Sequence, residues 1–402
     1  MKYRSTPYLR FKKFKEKWQL KVLGNLGSVA MNKRIFKEET SEVGEIPFYK
    51  IGTFGSEPDS FITREKFEEY KSKYPYPEIG DILISASGSI GRTVEYQGEE
   101  VYFQDSNIVW LKHDERLDNS FLKQFYSIVK WQGIEGTTIK RLYNKNILET
   151  PIALPSISEQ SAIGSLFRTL DDLLVSYKDN LANYQSLKAT MLSKMFPKAG
   201  QTVPEIRLDG FEGEWKKSKL KDVAHRVQGN DGRMDLPTLT ISASGGWMNQ
   251  IDRFSANIAG KEQKNYTLLK KGELSYNHGN SKLAKYGVVF ELQDYEEALV
   301  PKVYHSFRVN QLADAKFIEI MFSTKIPDRE LGKLVSSGAR MDGLLNISFD
   351  DFMNIAIIIP TLEEQQAIGS YFSNLDNLIA AHQEKISQLE TLKKKLLQDM
   401  FI

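Results

Sequence analysis

The sequence predicts an α/β (α+β) chain built twice. Two similar mixed α/β bodies are separated by two long antiparallel coiled-coil helices, closed into a pseudo-two-fold circular repeat. Three observations predict this. The 44-residue segment from Leu154 to Pro197 returns from Ile359 to Ile402 at a constant offset of 205, without a gap and with sixteen identities. A second repeat opens each half: Pro7, Arg10, Phe14, Trp18 and Leu23 match Pro204, Arg207, Phe211, Trp215 and Leu220 at an offset of 197. Between these markers the offset drifts, as loops allow and a register-locked helix does not. The second repeated segment leads back to the place where the first half starts, which makes the layout circular.

Composition bounds the rest. With 402 residues, 41% hydrophobic and 26% charged, the chain has room for two or three folded units. It has no cysteine, which excludes disulfides, thiol nucleophiles and cysteine-bearing zinc sites. The longest apolar run, Ile355 to Ile359, is far short of a membrane span, and the charged N-terminus lacks a secretory h-region. A soluble, cytoplasmic protein with no membrane partner is expected. Residues 1–37 carry eleven Lys or Arg against Glu16 alone, so the remainder is net acidic. A basic excess of this kind suits either a phosphate-facing patch or a solvated edge.

The elements follow in order. The first body is expected over 1–153, with strands at 46–51, 81–85, 101–103, 108–111 and 147–154 and a helix at 119–131. The central helix spans 154–197 and opens on Ser156-x-x-Glu159, a capping-box pattern. A linker at 198–205 follows. The second body is expected over 206–358, with strands at 236–241, 273–276, 287–292, 298–309 and 352–359 and a helix at 314–323. The C-terminal helix spans 359–402 and opens on Thr361-x-x-Glu364.

In both helices apolar residues alternate at spacings of four and three over more than four heptads, which favours a coiled coil. The seams place Leu170, Leu174, Tyr177, Leu181 and Tyr184 against Leu375, Ile379, His382, Ile386 and Leu389. Each seam is interrupted once by a lysine, at Lys188 and Lys393, where Leu187 and Leu392 are expected to cover.

Catalytic motifs are not found. The chain has no phosphate-loop, dinucleotide, zinc-protease or amino-methyltransferase signature, and Pro327-Asp328 with Glu330 and Lys333 crowds its acids into one turn. The residues point to a chain that binds. Loops with close-approach glycines, hydroxyls, amides and guanidinium groups recur at matching places in the two halves. In the first they offer Lys33, Arg34, Ser87, Ser89, Arg92, Gln104, Asn107, Lys140 and Arg141. In the second they offer Asn277, His278, Asn280, Lys282, Lys285 and Arg340. Arg and Lys suit guanine edges and phosphates; Asn and Gln suit adenine.

A body opened by P-x-[LI]-R-x-x-x-F-x-x-x-W, holding a GDILIS-type strand, closed by PSISEQ-x-AIG and a long helix, and present twice, resembles the specificity subunit of type I restriction–modification systems. The resemblance covers essentially the whole chain. It implies a non-catalytic subunit whose bodies are target recognition domains, each reading half of a bipartite site in double-stranded DNA. It also implies helices that set the spacer and dock two methyltransferase (modification) subunits, through which restriction subunits join. The resemblance implies no cofactor on this chain and places S-adenosylmethionine, ATP and magnesium on the partners. Two other readings stay open: the recognition module of a type II restriction–modification enzyme, and a coiled-coil scaffold with no DNA role.

Overall fold

The computed structural model describes residues 6–134, 140–254, 260–279, 281–335 and 344–401. The chain divides into two compact units. One comprises Met1–Asp179 with Glu384–Ile402, the other Asn180–Gln383. The first unit therefore takes the end of the second repeat, as a circular layout requires.

The first unit contains β1 (Gln19–Val22), β2 (Gly27–Ala30), β3 (Ile46–Tyr49), β4 (Phe61–Ile62), α1 (Arg64–Lys73), β5 (Ile82–Ser85), β6 (Thr93–Glu95), β7 (Tyr102–Phe103), β8 (Ile108–His113), α2 (Asn119–Ile128), α3 (Asn144–Leu148) and β9 (Pro151–Leu154). Its main sheet is antiparallel in the order β2-β8-β5-β6. Strands β5 and β8 are apolar on both faces because both faces are covered. Ile82, Ile84, Val109 and Leu111 pack with Phe121, Leu122 and Phe125 of α2. Leu83, Ile108 and Trp110 pack with Phe54, Tyr96 and Phe103. A smaller sheet, β4-β3-β7, and the pair β1-β9 complete the body. The long helix α4 (Ile157–Lys194) follows.

The second unit contains β10 (Lys216–Lys219), α5 (Leu220–Val223), β11 (Ala224–Arg226), β12 (Leu239–Ser242), β13 (Gly246–Asn249), α6 (Gln250–Phe254), β14 (Thr267–Lys270), β15 (Leu274–Asn277), β16 (Val288–Glu291), β17 (Glu297–Val300), β18 (His305–Val309), α7 (Ala315–Ser323), α8 (Asp328–Leu334), α9 (Phe349–Met353) and β19 (Ala356–Ile359), then the long helix α10 (Leu362–Met400). Its main sheet has the same order, β11-β18-β15-β16, and β10-β19 repeats β1-β9.

Several expected strands change. Ile147 and Phe352 lie in α3 and α9, so only the ends of those two stretches are extended. The run 298–309 breaks into β17 and β18, because Tyr304 N–H bonds back to the Pro301 carbonyl in a tight turn.

The glutamates that open the helices do not complete capping boxes. Thr361 Oγ1 accepts from Glu364 N–H at 3.4 Å, but the Glu364 carboxylate turns inward and is held bidentately by Arg207 Nε and Nη2 at 2.8 and 2.7 Å. Glu159 does the same with Arg10, at 2.6 and 2.7 Å, and accepts from Trp18 Nε1 at 3.2 Å. Both carboxylates are buried. The next residue faces the other way. Gln160 accepts from Asp118 N–H and donates to the Arg116 and Pro155 carbonyls; Gln365 does so with Asp314, Leu312 and Pro360. Gly164 lets the start of α2 lie on α4, since an added Cβ would fall on the Ser120 hydroxyl. The motifs shared by the two halves are thus joints between helix and body.

In each unit the helices run antiparallel. In the first unit Asp171 meets Lys393 and Lys178 meets Glu390 (2.7 Å), with Leu170, Leu174 and Tyr177 packed in one cluster with Ile386, Leu389 and Met400. In the second, Tyr184 packs edge-on to His382 with ring centres 5.1 Å apart, and Lys188 meets Asp376. Leu181, Leu375 and Ile379 occupy buried or half-buried seam positions. Leu187 and Leu392 do not cover for the lysines; they remain 37% and 44% exposed, and the aspartates receive the lysines instead.

Arg207→Ala leaves the Glu364 charge buried without its partner. This should cost about 3–5 kcal/mol, read as a lower denaturant midpoint. Arg207→Leu combined with Glu364→Leu should recover most of the loss. A single variant as stable as the parent would show that solvent reaches the carboxylate.

Candidate nucleic-acid interface

In the first unit the loops after β5 and β7 meet at one end of the main sheet. Ser87 forms a bridge with Arg141, and Leu142 N–H bonds to the Ala86 carbonyl, which draws the basic pair Lys140-Arg141 alongside. Ala86 N–H also bonds to the Asn107 carbonyl at 2.7 Å. Asn107 Oδ1 accepts from Ser87 Oγ at 2.8 Å and from Arg141 Nη2 at 3.2 Å. Gln104 Oε1 accepts from Ile51 N–H, and Arg92 Nη2 donates to the Gly55 carbonyl. Arg34 pairs with Asp105 at 2.9 Å. Gly91 has φ +85°, and a Cβ there would lie 2.8 Å from Trp131 Nε1, so only glycine lets the indole close on the loop.

The predicted residues of the first body are therefore brought together. Arg34, Ser89, Arg92, Lys140 and Arg141 are exposed, and Gln104 and Asn107 are half-buried. Lys33 is exposed with its ammonium 5.2 Å from the Tyr74 ring centre. Ser87 is buried, and its hydroxyl donates to Asn107 Oδ1. The turn after β3 is a participant that the strand pattern did not single out. Its signal was present in the match of residues 46–56 to residues 236–246. The basic run is divided: Lys33 and Arg34 stand at these loops, whereas Arg10 belongs to the joint with Glu159.

The second unit builds the same corner from different residues. Gly279 bridges Leu344, and Leu345 N–H bonds to the His278 carbonyl, so Leu344 occupies the place of Arg141. Asn277 donates to the Ile241 carbonyl and accepts from Gly279 N–H. Lys282 and Lys285 are exposed. Asn280 and Arg340 lie outside the described residues, as do residues 136–139.

His278 is not available as a reader. It is 5% exposed, with its ring nitrogens 2.7 and 2.9 Å from the Leu345 and Val303 carbonyls. It stacks on His305 at a ring separation of 4.7 Å. The two rings take the places of Ala86 and Val109 in the first unit, where each strand register puts an apolar side chain. The loop spacing alone suggests exposure; the pairing turns the ring inward. The crowded acids at 328–333 form the short helix α8, in which Lys333 pairs with Glu330.

Burial pushes the His305 imidazole down to about 4. The hydrogen bond with the Ile347 carbonyl opposes this, and the neighbouring His278 and Arg226 add to it. A folded pKa below the unfolded value of about 6.5 means that the folded state keeps the ring neutral while the unfolded chain takes up a proton. This contribution is complete above about pH 6.5 and is lost as pH falls toward 4. His305→Val, the side chain of the equivalent Val109, should flatten the fall in stability of the second unit between pH 6.5 and 4. Equal slopes for parent and variant in denaturant titrations would refute the assignment.

The family model described as "Type I restriction modification DNA specificity domain" matches residues 15–183 and again 212–391. A putative type I restriction enzyme specificity subunit of Haemophilus influenzae, S.HindORF215P, is 54% identical over 160 residues, which are 40% of this chain and 42% of that protein. The MjaVIII type I restriction enzyme specificity subunit of Methanocaldococcus jannaschii is 22% identical over 332 residues, covering 79% of this chain and 74% of that one. The crystal structure of a type I restriction–modification S subunit from M. genitalium superposes with a TM-score of 0.59 over 99% of both chains at 15% identity, which shows a shared fold. With both halves matched by one family model, the chain belongs to the type I restriction–modification DNA specificity family.

Proposed function

We propose that this chain is the non-catalytic, cytoplasmic DNA-specificity subunit of a type I restriction–modification complex. Each body reads one half of a bipartite site in double-stranded DNA. The paired helices set the spacer and dock two modification subunits, and restriction subunits join through those. S-adenosylmethionine, ATP and magnesium serve the partner subunits. The observation that carries this reading is the shared corner: the same strand order delivers the same two loops to the same bridge in both units, with different side chains on it. Matching main sheets with different tips suit two independent readings of two sequences. Arg141 in one corner and Leu344 in the other are the plainest example.

Exchange of residues 20–153 for the same body of a relative should change one half-site and leave the other intact, read by mapping methylated sites in cells holding the complete system. A change in both half-sites would contradict independent reading. Within the first body, Lys140→Ala and Arg141→Ala should each lower the slope of log K against log salt by about 0.9 if the charge meets a phosphate. Parental affinity and slope in both would move the binding surface elsewhere.

A further inference from the structure

The turn between β7 and β8 holds two amides, Gln104 and Asn107, and the hydrogen bonds decide what they can still say to a base. An amide reads adenine bidentately by accepting from N6–H and donating to N7, so both ends must be free. At Asn107 the accepting end is not free. Its Oδ1 receives two donors, Ser87 Oγ and Arg141 Nη2, which fills both lone pairs. The assignment of oxygen and nitrogen is forced, because a guanidinium N–H can only donate. The Nδ2 group has no acceptor among the described residues, and the side chain is half-buried at the surface. Gln104 is oriented by the same logic: its Oε1 accepts from Ile51 N–H at 2.9 Å, and its Nε2 is the end left over.

One oxygen of the carboxylate beside them is engaged too. Asp105 Oδ2 accepts from Arg34 Nε at 2.9 Å and from Ser106 Oγ at 3.0 Å. The groups left over around this turn are then mostly N–H donors, from Asn107, Gln104, Arg92 and Arg141, beside a single carboxylate oxygen, Asp105 Oδ1. A surface of donors meets acceptors. In the major groove guanine offers two on one edge, O6 and N7, whereas cytosine offers only its N4–H donor.

We propose that Asn107, supported by Gln104, is a specificity-determining residue that donates to guanine in the major groove of the half-site read by the first body. This rests on the proposed function and sharpens it: the presence of Asn and Gln alone suggests adenine, and the turn's hydrogen bonds reverse that preference. The second body does not share the device, because its corresponding turn, between β17 and β18, is Pro301-Lys302-Val303-Tyr304 and carries no amide side chain.

Asn107→Asp tests this with little change of shape. The retained oxygen still accepts from Ser87 and Arg141, while the donor becomes an acceptor. In the complete system, the variant should methylate the parental site about 5- to 150-fold more slowly. One guanine of the first body's half-site should be replaced by cytosine or adenine, and the other half-site should be unchanged. Gln104→Glu should act at a neighbouring position. With purified parental complex, 7-deazaguanine at the affected position, which lacks the N7 acceptor, should weaken binding; the Asn107→Asp complex should have lost that sensitivity. Thermal melting of the variant complex at the parental temperature excludes a folding defect. The proposal is overturned if the variant modifies the parental half-site at the parental rate, if that half-site contains no guanine, or if 7-deazaguanine has no effect at any of its positions. A parental system that methylates no bipartite sequence overturns the functional reading itself, which separates the two failures.

Discussion

Two buried carboxylates hold the architecture together. Glu159 and Glu364 sit in the first turn of each long helix, out of water, where an unpaired charge would be strongly destabilising. Arg10 and Arg207 reach them from the opening segment of each body and bind both oxygens in parallel, the geometry in which a guanidinium best offsets lost hydration. The same arginines donate to carbonyls of their own segments, at Glu16 and at Glu212, so the ion pair also pins the chain that leads into β1 or β10. Gln160 and Gln365, one residue on, tie the opposite flank of the helix to the loop before α2 or α7. Each helix is thus held to its body from both flanks. Each helix end that arrives from the other repeat is also buried: Phe401 stacks on Phe121, and Phe196 stacks on Phe317.

The seam follows the same duplication. Lys188 and Lys393 interrupt the apolar rows at equivalent positions, and Asp376 and Asp171, also separated by 205 residues, receive them. A charged pair in a seam contributes less stability than an apolar one but discriminates between registers and directions. The stems of the lysines fill the seam while their ammonium groups reach its edge. The two pairs therefore mark the antiparallel register without needing any residue that the duplication did not already supply.

Much of this could be read in the sequence, because duplication supplies its own alignment. The constant offset identified both helices, and heptad spacing identified seam residues that the structure buries, Leu170, Leu174, Leu375 and Leu389 among them. What could not be read was the direction in which short polar side chains turn. Ser156-x-x-Glu159 satisfies a capping-box pattern equally well when the glutamate points away, and only the long-range partner Arg10 decides. His278 follows a strand in a glycine-rich loop, as a reader would, yet the bridge from Gly279 to Leu344 rolls its ring under the sheet. Strand ends failed where a helical turn of about five residues, α3 or α9, precedes the extended segment without a change in hydrophobicity. The corner loops were visible as chemistry but not as hydrogen-bonded networks, and the networks decide which atoms remain for a ligand.

In the proposed reading, where the paired helices set the spacer, helix length is the quantity that the distance between half-sites registers. Four residues inserted after Leu181 form a stutter that a coiled coil absorbs by local unwinding. They add about 6 Å of rise and about 40° of rotation. One base pair advances DNA by about 3.4 Å and roughly 34–36°. Rotation thus matches one base pair and rise lies nearer two. Mapping the methylated sites of this insertion variant in the complete system reads the spacer out. Helices that set the distance give a non-specific spacer longer by one base pair, two at most, between unchanged half-sites; an active enzyme with the parental spacer would mean that they do not set it.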